Sequence, residues 1–118
     1  MYQGDNERAR SLLREALQLM RQAGDRVFAT YTLDALAGVA SAERRPVRAI
    51  RLLAAAYSLA DAIGLVLSPA QMVIMEPITR RVRSEADEAT FAREWAEGHG
   101  LTFEQAVTYA LEETGPLG

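Results

Sequence analysis

Cysteine and lysine are both missing from this 118-residue chain, and histidine occurs once. The first absence excludes disulfides, thiolate metal sites and cysteine nucleophiles together. With a single histidine and no cysteine, a zinc site has no ligand set. No apolar run approaches the roughly 20 residues of a membrane span. The chain does not open on the basic-then-apolar stretch of a secretion signal. These absences point to a soluble bacterial protein of the cytoplasm. All 13 basic residues are arginine in an alanine-rich chain, a composition that reads as the product of a GC-rich genome. The net charge of −3 is unevenly placed: residues 1–64 hold 9 arginines against 7 acidic groups, and residues 65–118 hold 4 against 9. Such a balance leaves no broad electrostatic footprint for nucleic acid. Direct DNA binding, a metal, a cofactor and a membrane are therefore not expected of this segment.

What is present is helical periodicity. Ala9, Leu12, Leu13, Ala16, Leu17 and Met20 recur at the spacing of one buried helix face. Asp5 suits the N-cap and Gly24 the stop, which predicts a first helix over residues 6–23. Val27, Phe28, Tyr31, Leu33, Leu36, Ala37 and Ala40 predict a second, ending near Glu43 because Pro46 disfavours helical geometry at Arg45. Pro46 opens a third, carrying Val47, Ile50, Leu53, Ala54, Tyr57, Ala60 and Ile63, and Gly64 closes it. Ser68-Pro69-Ala70-Gln71 has the form of a capping box. It would open a fourth helix with Met72, Val73, Met75, Ile78 and Val82 inward, kinked or split at Pro77. Asp87 caps a short fifth helix holding Phe91 and Trp95, stopped by Gly98-His99-Gly100. Thr102-Phe103-Glu104-Gln105 is a second capping box and opens a sixth, with Phe103, Ala106, Val107, Ala110 and Leu111 inward. Gly115-Pro116-Leu117-Gly118 reads as a frayed end. No segment alternates apolar and polar residues, so the class is all-α.

Sliding the chain against itself by 40 residues lays Ala9 on Ala49, Leu12-Leu13 on Leu52-Leu53, Ala16 on Ala56 and Gly24 on Gly64. A period in this range, built of paired helices, is the signature of a helical solenoid. Gly4-Asp5-Asn6-Glu7-Arg8-Ala9 resembles the start of the second helix of a tetratricopeptide repeat. Leu33-x-x-Leu36-Ala37-x-x-Ala40, followed by Arg44 and Ala49, is similar to a complete repeat, with Ala37 and Ala40 where glycine and a large aromatic are usual. The tail is narrower in its likeness. Phe91-Ala92-Arg93-Glu94-Trp95-Ala96-Glu97-Gly98, with Leu101-Thr102-Phe103-Glu104-Gln105-Ala106-Val107, resembles the closing helical-repeat segment of LuxR-type and related predicted-ATPase transcriptional regulators of bacteria. The resemblance implies a short tetratricopeptide-like, right-handed solenoid of about six helices in antiparallel hairpins. It implies one helical-repeat domain over 1–118, repeat-like across 4–64 and capped by the helices of 68–114. It also implies a piece of a larger regulator, beginning on a repeat helix whose partner lies outside it.

Chemistry is sparse. His99 lies between two glycines with no nucleophile to activate. Asp87-Glu88 and Glu112-Glu113 are adjacent pairs, which diverge by about 100 degrees on a helix and do not converge on one point. Arg44-Arg45 with Arg48 and Arg51, and Arg80-Arg81 with Arg83, admit anion binding, but solvated helix faces neutralised by neighbouring acids account for them. Phe91 and Trp95 anchor terminal helices, and Met72 and Met75 fill gaps. An enzyme is not expected. The repeat likeness places Tyr31, Asp34, Gly38 and Ser41 on a concave groove suited to a peptide or small molecule. That implies a non-catalytic interaction and sensor scaffold with a protein or peptide partner. The competing expectation is a capping module that self-associates as a homodimer, through an unpaired first helix exposing Leu12, Leu13, Leu17 and Met20.

Overall fold

The computed structural model describes residues 3–66 and 68–112, and the described residues form six α-helices with no strand among them. The helices are α1 (Gln3–Ala23), α2 (Arg26–Ala42), α3 (Pro46–Ala62), α4 (Pro69–Ser84), α5 (Glu88–His99) and α6 (Phe103–Leu111). Each of the first three ends in the same turn. Asp25 N–H donates to Met20 O, Arg45 N–H to Ala40 O, and Leu65 N–H to Ala60 O. These bonds close Schellman motifs, which need a left-handed residue just past the helix. That residue is Gly24 (φ 70°), Arg44 (φ 61°) and Gly64 (φ 68°) in turn. The tight turns after Gly24 and Arg44 set α1, α2 and α3 side by side as hairpins.

The all-α class and the hairpin layout expected from the sequence are what the structure shows. α3 is the central element, packing on α2 and α5 most extensively and touching α4 and α6 as well. Leu33, Leu36, Ile50, Leu52 and Leu53 form the middle of the core. A run of small residues, Ala54-Ala55-Ala56, lets neighbouring helices approach α3 closely. α5 lies against α3, and α6 folds back across α1, α2 and α3. The described body is consequently nearly isotropic, 32 × 29 × 27 Å, with its tail wrapped over the hairpins rather than prolonging the stack.

Several expected details are corrected. α1 begins at Gln3, so Asp5 lies within its first turn rather than capping it, where its charge complements the helix dipole. Val27 and Phe28 are exposed, since they belong to the first turn of α2, beyond the core. Among the described residues of α4 the buried positions are Met75 and Val82, while Met72 and Val73 face solvent. Met72-Val73-Ile74-Met75 is an unbroken apolar run, and periodicity cannot choose the inward face of such a run. Pro77 neither splits nor ends α4. It lies on the exposed side, where water can solvate the carbonyl that loses its helical partner. Gly98 lies inside α5, which continues to His99. Its role is spacing: a Cβ at Gly98 would lie 2.7 Å from Arg51 Cα and closer still to that residue's carbonyl oxygen. Only a residue without a side chain lets α5 cross α3 there. Glu113 and the Gly115–Gly118 end lie outside the described residues.

Candidate functional site

The first expected surface, the open side of α1, is not open. Leu17 is fully buried, and Leu13 and Met20 pack against the core. α1 packs chiefly on α2 and α6. The second of these is held by arginines: Arg14 donates to Leu111 O at 2.7 Å and Arg21 to Thr108 Oγ1 at 2.9 Å. From α3, the buried Arg48 donates to Ala110 O at 2.8 Å and Tyr109 O at 3.3 Å. The last carbonyls of a helix lack intrahelical partners, and cations there also meet the negative end of the dipole. Arg48 is thus a structural cap for α6, not part of a solvated basic face. Of the four self-association residues only Leu12 is well exposed, and it is joined two turns on by Leu19.

Arg51, the other inner member of that cluster, donates to Glu94 Oε1 at 2.7 Å, and Arg93 donates to Glu94 Oε2 at 3.2 Å. Burial raises the Glu94 carboxyl, but the hydrogen bonds from Arg51 and Arg93 prevail and hold it below the usual carboxylate range. Phe91 stacks on Trp95 at 5.4 Å between ring centres, and Trp95 reaches Tyr57 at 5.7 Å. Asp87 accepts from Thr90 N–H as the N-cap of α5, and Thr102 with Gln105 completes the capping box of α6. His99 is exposed, and its carbonyl accepts from Ser58. Among the described residues no cluster of three or more His, Asp or Glu is placed to hold a metal ion. No described helix is long and apolar enough to cross a membrane.

The second expected surface, Tyr31, Asp34, Gly38 and Ser41, is one face of α2, and α4 lies along it. At one end the Ser41 hydroxyl donates to the Glu85 carboxylate just past α4. In the middle, Ile78 occupies the space beside Gly38, its Cδ1 3.3 Å from where a Cβ would stand. Towards the start of both helices the two separate. There Tyr31, Asp34, Ala35, Ile74, Met75 and Ile78 enclose a solvent-connected cavity of about 280 Å³. The four residues therefore do share a face, but Gly38 and Ser41 lie under α4 rather than on an open groove. Only the Tyr31–Asp34 end remains accessible.

Asp34 is the anomaly of this cavity. It is 4 % exposed, and its Oδ1 has no hydrogen-bond partner among the described residues. Buried polar atoms are paired in the great majority of cases, and an unpaired acceptor costs about 1–3 kcal/mol. Burial alone pushes the Asp34 carboxyl up to about 7. Among the described residues no arginine or histidine lines the cavity to offset that cost. The sequence offered a partial signal, a polar stripe of helical spacing in an otherwise small and apolar helix. It gave none for Ala35 or Ile74, whose place depends on how α4 is set down. No family model, curated protein or solved structure matches the chain.

Proposed function

We propose that this chain is a non-catalytic binding module, the sensor segment of a multidomain bacterial transcriptional regulator acting in the cytoplasm. The observation that carries this reading is the recessed cavity between α2 and α4, apolar in its walls and holding the buried Asp34 carboxyl, whose Oδ1 has no partner among the described residues. Concave, mostly apolar sites with few polar groups are what small ligands occupy. α4 is the element suited to report occupancy. Among its described residues only Met75 and Val82 are buried, and lightly packed elements are the ones that move. A ligand beneath Ile74 and Ile78 shifts α4, and with it the exposed Met72, Val73 and Ile74 that a protein or peptide partner would read. The test is a mixed small-molecule screen followed through methyl resonances. Binders should move Met75 and Ile78 while leaving Leu53, deep in the core, unchanged. A screen in which no compound moves Met75 and Ile78 overturns the sensor reading.

A second reading has its own observation. Leu12 and Leu19, 59 % and 64 % exposed, lie two turns apart on α1 and form an apolar strip suited to a homodimer contact. Sedimentation of the protein beside a Leu12→Glu, Leu19→Glu double variant tests it. A dimer that becomes monomeric supports self-association through this strip, and equal behaviour of the two proteins removes it.

A further inference from the structure

The geometry points to the ligand class: a small apolar amine, seated between α2 and α4 with its ammonium on Asp34 and its hydrocarbon body on Ala35, Ile74, Met75 and Ile78. The inference rests on the reading of this cavity as a binding site. Three observations carry it. Asp34 Oδ1 is a buried acceptor with no donor among the described residues, so its donor comes from whatever enters the cavity. Among the described residues the cavity holds no arginine or histidine, so a counter-charge for the ionised carboxyl comes from outside as well. An ammonium supplies both at once, with three donors and a positive charge. The remaining walls are aliphatic side chains and a thioether, with the Tyr31 ring beside the carboxyl, a surface that favours an organic cation over a hydrated metal ion. At about 280 Å³ the space is at the lower edge of ligand cavities, which limits the body to a short chain or a single ring.

Titration of Asp34 gives the complex a signature. The ammonium pairs with the carboxylate, and the free carboxyl titrates at about 7. Tyr31 is the only other titratable side chain among the described residues that line the cavity. Glu76 and Arg80 of α4 are exposed and do not line it, and α3 contributes no charged group there. Affinity for an amine therefore rises as pH climbs through 7, whereas a neutral donor shows no such rise.

The experiment compares isoamylamine and phenethylamine with isoamyl alcohol on the whole chain, followed by the Met75 and Ile78 methyl resonances. At about pH 8 the amines should bind about tenfold tighter than the alcohol, and about tenfold weaker near pH 5.5. Asp34→Asn should erase both the amine preference and its pH dependence. The variant should melt at a higher temperature than the parent above pH 7, because the buried charge is gone. Ala35→Leu, which fills the cavity, should abolish binding of every probe and serves if Asp34→Asn fails to fold. Alcohol binding as tightly as the amines overturns the ligand class and leaves the binding module standing. If neither kind of probe moves Met75 and Ile78, the amine proposal falls, and the mixed screen decides the binding module. Amine binding unchanged in Asp34→Asn places the ammonium elsewhere and overturns the proposal. Tighter binding of N-acetyl-lysine methylamide than of either amine replaces the free small molecule with a partner's lysine.

Discussion

α1 and α3 carry the same pattern 40 residues apart and meet opposite fates. Leu12 and Leu52 correspond in the repeat, yet Leu12 is 59 % exposed and Leu52 1 %. Ala16 is half-buried where Ala56 is fully buried. Both helices stop identically, on Gly24 and Gly64 at almost equal φ. The difference lies in their neighbours. α1 is an edge helix covered by α2 and α6, whereas α3 is enclosed by α2, α4, α5 and α6. Local sequence therefore dictates that a helix forms and where it ends, while the number of partners dictates what its apolar face is worth.

The comparison breaks most sharply where α3 meets α5. Gly98→Val should cost at least about 3 kcal/mol, because a side chain there collides with the Arg51 backbone, which cannot yield as a flexible side-chain tip can. Gly100→Ala is its control. A Cβ at Gly100 meets Ala96 O at 3.4 Å and Glu97 O at 3.8 Å, ordinary contact distances, and the residue already has a negative φ, so the change should stay within about 0.5 kcal/mol. Equal urea midpoints for Gly98→Val and the parent would falsify the close crossing of α5 over α3.

Next in size is the direct exchange between the two repeats. Leu52→Ala should destabilise by about 2–5 kcal/mol, the range for emptying a packed site. Leu12→Ala, at the corresponding position, should stay within about 0.5 kcal/mol. Denaturant titrations at low protein concentration, where association is absent, measure both. Similar costs at the two positions would mean that α1 is as enclosed as α3, and the edge-versus-centre distinction would fail.

The same distinction explains what was legible beforehand. The six helices, the caps at Asp87 and Thr102, and the stops at Gly24 and Gly64 rest on interactions within a few residues, and the sequence displays these directly. The self-association face misled because covering α1 requires α6, whose docking depends on Arg14, Arg21 and Arg48 reaching across more than 60 residues of chain. Arg48 looked like one member of a basic cluster, since its acceptors are backbone carbonyls and carry no sequence mark. The α2 face was found through the repeat pattern, but its cover by Ile78 and Glu85 was not. α4 opens on the unbroken apolar run Met72-Val73-Ile74-Met75, so its inward side is set by packing against its neighbours rather than by periodicity. The repeat pattern puts Asp34 on a groove, while its lack of a partner among the described residues is a property of the assembled cavity alone.

The smallest effects sharpen the comparison where the repeats agree. Gly24→Ala and Gly64→Ala should each cost about 1 kcal/mol, and the two costs should match, because both glycines hold the same left-handed turn with open space around them. α2 supplies the inverse case. Its turn has Arg44 in that conformation at φ 61°, a backbone strain that a glycine would not carry. Arg44→Gly should therefore raise stability by about 1 kcal/mol, although it removes an exposed side chain and adds no contact. Thermal melts of the three variants resolve shifts of this size. A destabilised Arg44→Gly would show that the arginine side chain contributes more to the α2–α3 turn than its backbone conformation costs.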